Sequence, residues 1–238
     1  MLFSSPYRIY SSGDHSITIE AGNQIDTKIN QEIISLFHDL SANRIRGVKD
    51  IIPAFQSLTL IYDITICKKE AGNQSVFTFL SALLEHRIKQ PIAIANAASR
   101  RINIPVCYDS SIAPDIALLA ELHTISIEEL IEIHTGKEYR VYMIGFLPGF
   151  AYMGTVDQRI VTARKSVPRT FVPAGSVGIA GEQTGIYPFG SAGGWQLIGR
   201  TPITMFDPKN EIPCYLQPGD EVRFFSITLS EYKNWGQS

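Results

Sequence analysis

The chain has 238 residues, 45% of them hydrophobic and 18% charged, which is enough apolar content to bury a core and excludes a disordered polar chain. Its 21 Lys and Arg against 23 Asp and Glu leave a formal charge of −2, without the basic stripe of a general nucleic-acid binder. Three scattered cysteines, Cys67, Cys107 and Cys214, form no CxxC or Cys/His cluster, so neither a disulfide framework nor a structural zinc is expected, and a reduced, cytoplasmic setting is.

From the N-terminus, Tyr7 to Tyr10 and Ser16 to Glu20 read as short strands joined by the turn cluster Ser-Ser-Gly-Asp. Ile25, Ile29, Ile33, Leu36, Phe37 and Leu40 recur at helical spacing, with Asp26 placed to cap the helix. Gly47 to Phe55 reads as a strand. Strict alternation of Leu58, Leu60, Tyr62, Ile64 and Ile66 predicts another, half-buried. An amphipathic helix follows from about Gln74 to Lys89, with Phe77, Leu80 and Leu84 on one face. Antiparallel strands covered by two helices make a small α+β sandwich over residues 1–95, and Pro91 with the run AIANAASRR suits a boundary.

Residues 96–238 differ in composition. Of 18 glycines and 13 prolines, 13 glycines and eight prolines lie between Gly136 and Gly219, so many corners are expected there. Ile102 to Tyr108 reads as a strand. Two short helices come next, Pro114 to His123 and Ile127 to Thr135, the second opened by the capping-box pattern Ser126 to Glu129 and closed at Gly136 as a C′ residue. The β-prone runs YRVYMIGF, FVPAGSVGIAG, GWQLIG, EIPCYL and DEVRFFSI then alternate with turns, which indicates a closed or nearly closed barrel. The start of the chain lacks the basic and long apolar regions of a signal peptide, and no apolar run reaches the ~20 residues that span a bilayer. A soluble protein without a membrane partner is the expectation.

The P-loop, dinucleotide fingerprint, nucleophile elbow and HExxH zinc motif are all missing, so any use of ATP proceeds without a standard nucleotide signature in this chain. What stands out is a set of loops. MIGFLPGFAYMG (143 to 154) is followed by ARKSVPR (163 to 169), by VPAGSVGIAGEQTGIYP (172 to 188) and by SAGGWQLIGRTP (191 to 202). Pro148 and Gly149 suit a type II turn, which leaves Phe146, Phe150 and Tyr152 to be explained either as a plug for a β-structure or as the wall of a pocket. Gly193 and Gly194 let backbone N–H groups approach a ligand. Arg169 and Arg200 offer planar forks for carboxylate or phosphate, while Arg164 and Lys165 read as solvated loop charges ahead of ligands. Gln183, Thr184 and Tyr187 add neutral donors and acceptors, and Trp195 a stacking face or a core plug. His134, in a last helical turn, is favoured as a cation by the helix dipole and reads as a cap or as a general acid.

In this order the loops resemble the family that contains the B subunit of 5-oxoprolinase, the sporulation-kinase inhibitor KipI and allophanate hydrolase subunit 1. The resemblance is carried by IPVCYDSSIAPDIALLA (104 to 120), IHTGKEYRVYMIGFLPGFAYMG (133 to 154), VPRTFVPAGSVGIAGEQTGIYP (167 to 188), GGWQLIGRTP (193 to 202) and LQPGDEVRF (216 to 224). Two departures stand in it: Asp109 to Ala113 replace a glycine-rich turn, and Ala192 replaces a proline. The resemblance implies an α+β N-terminal domain and a cyclophilin-like β-barrel. It also implies the C and A subunits of 5-oxoprolinase as partners, a small-molecule site shared with the C subunit, and ATP-dependent cleavage of 5-oxoproline to glutamate. ATP, with magnesium, would be bound together with the partners, with no metal site in this chain. On that reading His134, Arg169 and Arg200 are catalytic. Phe146, Gly149, Phe150, Tyr152, Gln183, Thr184, Tyr187, Gly193, Gly194 and Trp195 bind substrate. A KipI-type inhibitor of a sensor histidine kinase, or half of a carboxyltransferase for urea- or allophanate-like amides, are the alternatives the family allows.

Overall fold

The structure is a computed structural model that describes residues 2–22, 26–92 and 100–236. The chain divides into two compact units, Met1–Ala98 and Ser99–Ser238. Ile25 and most of the boundary stretch, residues 93–99, lie outside the described residues.

In the first unit, β1 (Tyr7–Gly13), β2 (Ser16–Ala21), β3 (Val48–Pro53) and β4 (Ser57–Tyr62) form an antiparallel sheet in the order β1-β2-β4-β3. Alternation places Ile17, Ile19, Leu58 and Leu60 on the face covered by α1 (Thr27–Ala42) and α3 (Val76–Lys89), which contribute Ile33, Leu36 and Leu40, and Leu80, Leu84 and Ile88. Asp26 caps α1 by accepting from Lys28 N and Ile29 N, and an ion pair between Arg87 and Asp39 ties α3 to α1.

The strand expected to run to Ile66 stops at Tyr62. Asp63 accepts from the N–H groups of Thr65 and Ile66, at 3.0 and 3.2 Å, and opens α2 (Ile64–Ala71), in which Ile64 and Ile66 face solvent. The period of two continued by chance across a helix start, because a cap is a local hydrogen bond that alternation does not register. Phe77 likewise lies on the exposed side of α3, whose buried stripe is Leu80, Leu84 and Ile88.

The second unit is built on a seven-stranded closed barrel. Its strands are β5 (Arg101–Cys107), β6 (Glu138–Ile144), β7 (Ala151–Gly154), β9 (Ser176–Ala180), β10 (Gln183–Ile186), β12 (Gln196–Arg200) and β13 (Glu221–Ile227), in the order β10-β7-β6-β13-β5-β12-β9 with β9 returning to β10. Among the described residues only β13 and β5 run parallel, from Glu221 opposite Arg101 to Ile227 opposite Cys107. Ile104, Val106, Val141, Met153, Val177, Ile179, Ile186, Ile198, Val222 and Phe224 belong to one buried cluster, joined by residues of α4 (Ile116–His123) and α5 (Ile127–Thr135).

Three runs depart from their expected form. FVPAGSVGIAG divides at Pro173 into β8 (Arg169–Val172) and β9, and β8 pairs with β11 (Ser191–Gly193) in a separate two-stranded sheet. EIPCYL makes only the bridge Phe206 to Cys214, since Pro213 has no N–H for a ladder. Ser126 caps α5 by accepting from Glu129 N, but Gly136 ends it at φ −75°, a right-handed cap. The reciprocal capping box forms at Thr228 and Glu231, opening α6 (Leu229–Lys233). Among the described residues no helix is long and apolar enough to cross a membrane.

Removing the carboxylate that turns strand into helix tests this account. Asp63→Ala should cost about 1 kcal/mol of local stability, so amide exchange in α2 should quicken by about fivefold while that of β4 and α1 stays unchanged. Equal protection in the variant would mean that α2 is held by packing and not by its cap.

Candidate functional site

The loop after β6 turns twice. Leu147 N donates to Gly145 O at 2.8 Å around Phe146, whose φ is +66°, a γ-turn of the strained, positive-φ kind. Phe150 N then donates to Leu147 O at 3.0 Å, with Pro148 second in the turn and Gly149 third at φ +82°, as a type II turn requires. Non-glycine residues held at positive φ carry of order 1–3 kcal/mol of strain. Here the strained residue is an aromatic 62% exposed, its ring set edge-on to Phe150 at 5.7 Å.

Phe150 is the hub of an aromatic wall. Its ring lies 4.8 Å from Tyr152, 5.1 Å from Tyr187 and 5.3 Å from Trp195, and Tyr152 lies 5.9 Å from Trp195. Such pairs contribute ~0.5–1.5 kcal/mol each beyond burial. The wall rests on the outward face of the barrel, where Gly178 of β9 stands opposite Gly185 of β10. A Cβ at 185 would lie 3.0 Å from both Phe150 and Trp195, and one at 178 would lie 3.1 Å from Trp195 Cβ. The two glycines therefore make a flat floor that only a side-chain-free strand pair can offer. Burial pushes the Tyr152 and Tyr187 hydroxyls above the usual tyrosine range, so both stay neutral near pH 7.

Charge enters beside this wall. Asp115, 3% exposed, accepts from Leu197 N at 2.7 Å through Oδ2, and through Oδ1 from Arg169 at 2.6 Å and Lys165 Nζ at 3.1 Å. Arg169 also donates to Trp195 O at 3.3 Å, and Lys165 N donates to Gly194 O at 2.6 Å. The loop 163–169 is thereby stitched to the segment 194–197, with Arg169 opposite Gly193 in the β8–β11 pair. Sequence reasoning does not single out Asp115. Its place before α4 resembles a helix cap, yet its side chain makes no cap bond and reaches a strand 82 positions away. The turn Asp109 to Ala113 that leads to it is held by Ser111 N and Ile112 N donating to Asp109, so hydrogen bonds do there what glycines were expected to do.

The structure thus gathers Phe146, Gly149, Phe150, Tyr152, Tyr187, Gly193, Gly194, Trp195 and Arg169, and adds Asp115 and Lys165. It does not gather the rest. Gln183 stands two residues from Gly185 on the same strand, half-buried at its start. Arg200 ends β12, where it stands opposite Ser176 of β9 and Cys107 of β5. Its Nε donates to Ala174 O at 2.7 Å, and Gly199 is small because Val106 of β5 crowds it, not to admit a ligand.

His134 and Thr184 lie on the other side of the wall, fully buried in the barrel. Thr184 Oγ1 donates to Gly178 O at 3.1 Å, so it accepts from His134 Nε2 at 3.1 Å, and Tyr108 O–H donates to Nδ1 at 2.8 Å. Phe224 stacks on the imidazole at 4.7 Å. Burial lowers the His134 pKa to about 3. The expectation of a cation favoured by the helix dipole is corrected: desolvation outweighs a dipole effect that rarely exceeds ~2 kcal/mol, and the ring is a neutral core group.

The chain belongs to the family of the carboxyltransferase domain, subdomain C and D, whose profile matches residues 7–216 and so contains the whole cluster. Within that class it is 40% identical over 228 residues to the B subunit of 5-oxoprolinase from Bacillus subtilis (strain 168), covering 95% of both chains. Among solved structures, TTHA0988 superposes with a TM-score of 0.77 at 33% identity over 89% of this chain, which corresponds to only 40% of that longer chain. The urea carboxylase of Kluyveromyces lactis has the same fold, with a TM-score of 0.73 at 21% identity over 95% of this chain and 22% of that one.

The buried histidine makes a pH-dependent stability. The unfolded chain takes up a proton on His134 below pH ~6.5 and the folded chain does not until about 3, so stability falls as pH drops through that window. Between pH 7 and pH 5 this residue should cost about 2 kcal/mol. His134→Gln, which keeps a donor and an acceptor, should flatten the urea-denaturation profile over that range. An unchanged slope would show that the ring ionises inside the fold.

Proposed function

We propose that this chain acts as the B subunit of a cytoplasmic, ATP-dependent 5-oxoprolinase that opens 5-oxoproline to L-glutamate, with a site completed by the C subunit, the A subunit being the third component. The sequence likeness across 95% of both chains supports this role in a complex. One observation carries the rest: an aromatic wall on a glycine floor stands beside two cations bridged by Asp115. A five-membered lactam is small and flat, and its faces suit aromatic stacking while its polar groups suit directed N–H donors. Its carbonyl is a poor electrophile; ATP would activate it by phosphorylating the lactam oxygen, and water would then add at that carbon. The C–N bond would break to free the amine and leave an acyl phosphate, and a second water would release phosphate and glutamate.

This chain carries no standard nucleotide-binding motif, and its buried carboxylate Asp115 already accepts from three donors. We assign nucleotide binding to the partners. The exposed apolar residues Phe146 and Val167, on the loops that carry the site, and Phe171 on β8, at 62%, 78% and 63% exposure, suit coverage by the C subunit. The carboxyltransferase family favours a second reading, in which the chain is half of a carboxyltransferase for urea-like amides.

Reconstitution separates the two. This chain with the A and C subunits should release ADP only when 5-oxoproline is present, and the chain alone should turn over nothing. Biotin- and bicarbonate-dependent carboxylation of an amide, with no turnover of 5-oxoproline, would replace the first reading by the second. Arg169→Lys should lower kcat/KM by about 10- to 100-fold, the equivalent of a charge-assisted bond of ~1.5–3 kcal/mol, whereas Arg200→Lys should change it by less than about threefold. Phe146→Ala should weaken assembly with the C subunit, by about tenfold in a titration of complex formation.

A further inference from the structure

We infer that Lys165 and Arg169, held by Asp115, form a subsite for a single carboxylate group on a small ring that lies against Trp195, with Asp115 as its positioning residue. This rests on the 5-oxoprolinase reading, whose substrate carries one such group, but its argument is electrostatic. Two cations share one carboxylate, so the cluster holds one uncompensated positive charge. Among the described residues neither cation has a second acidic partner at salt-bridge distance. Their side chains are about three-quarters buried, at 25% and 24% exposure, which weakens solvent screening of that charge.

Donors remain to receive a ligand. Lysine has three N–H donors and arginine five, and the hydrogen bonds and ion pair of Lys165 and Arg169 leave some of each unused. Asp115 itself cannot swing away to a ligand, because Leu197 N grips Oδ2 and the Asp115 N–H donates to Leu197 O at 3.0 Å, fixing its backbone too. The fixed carboxylate keeps two like charges close together that would otherwise repel, and it holds the guanidinium beside the Trp195 carbonyl. A monoanion neutralises the cluster. A phosphate dianion would leave it net negative in a poorly solvated place, which disfavours phosphate. The neighbouring face offered to the rest of the ligand is apolar, from the half-buried Trp195 and Tyr152, with Phe150 fully buried behind them. A carboxylate attached directly to a small ring satisfies both halves.

Trp195 reports occupancy. In a Trp235→Phe background the indole fluorescence of the full chain, alone and with the A and C subunits, is titrated with 5-oxoproline, with 2-pyrrolidinone (the same ring without a carboxylate), with acetate and with inorganic phosphate. The wild-type site should bind 5-oxoproline at least about tenfold more tightly than 2-pyrrolidinone, with phosphate weaker than 5-oxoproline. Lys165→Gln and Arg169→Gln should each weaken 5-oxoproline by about tenfold and leave 2-pyrrolidinone unchanged, and Lys165→Arg should restore most of the loss. Asp115→Asn, with one more net positive charge, should move preference toward phosphate. The unchanged 2-pyrrolidinone affinity and the Lys165→Arg rescue separate this from simple misfolding. Equal affinity for lactams with and without the carboxylate, tighter phosphate binding by the wild type, or no saturable response in chain or complex each overturns the subsite. Carboxylate-selective binding in a complex that never releases ADP would instead leave the subsite standing and remove the 5-oxoprolinase reading.

Discussion

The second unit is organised around the carboxylate of Asp115. Three segments far apart in sequence meet there: the turn before α4, the loop 163–169 and the strand that begins at Gln196. A carboxylate taken out of water is costly unless it is fully hydrogen-bonded and paired, and here one backbone N–H and two cations satisfy it. The arrangement is reciprocal, since Lys165 and Arg169 would otherwise be two like charges confined on one loop. Removing one member of a buried pair costs several kcal/mol because it strands the other. The loop is therefore fixed by electrostatics and not by apolar packing, which is why it can be exposed at Val167 and Pro168 and still have a defined course.

Closure of the barrel sorts the remaining residues by side. Neighbours in a strand point to opposite faces, so Thr184 enters the apolar interior and Gly185 meets the aromatic wall. The interior histidine and the outer aromatic cluster are thus a single β-strand apart and chemically separate. Gly178 links them: its carbonyl closes the hydrogen-bond series from Tyr108 through His134 and Thr184, while its missing side chain makes room for Trp195. A series that ends on a carbonyl has no group to pass a proton to, which makes it a brace for the lumen.

Strain and exposure coincide at Phe146. A γ-turn with positive φ and a solvent-facing aromatic ring are each unfavourable for an isolated chain, and both sit at the rim of the aromatic wall. The family relation gives this a context, since the matched solved chain continues far beyond the part that resembles this one.

Much is legible in the residues themselves. The division into an α+β unit and a glycine-rich barrel follows from period and composition, because hydrophobic spacing and turn residues act over a few positions. The Pro148-Gly149 turn and the caps at Asp26 and Ser126 are local hydrogen bonds and can be read directly. The same locality misleads where a cap interrupts an alternating pattern, at Asp63, and where a proline empties a strand, at Pro213. The site is legible as a set of loops but not as a geometry. Nothing near Asp115 in sequence announces that it will pair with Lys165 and Arg169, or that His134 will be fully desolvated while Trp195, in the same unit, is only half-buried. Burial and charge pairing are properties of distances between remote segments, and only the closing of the barrel sets those distances.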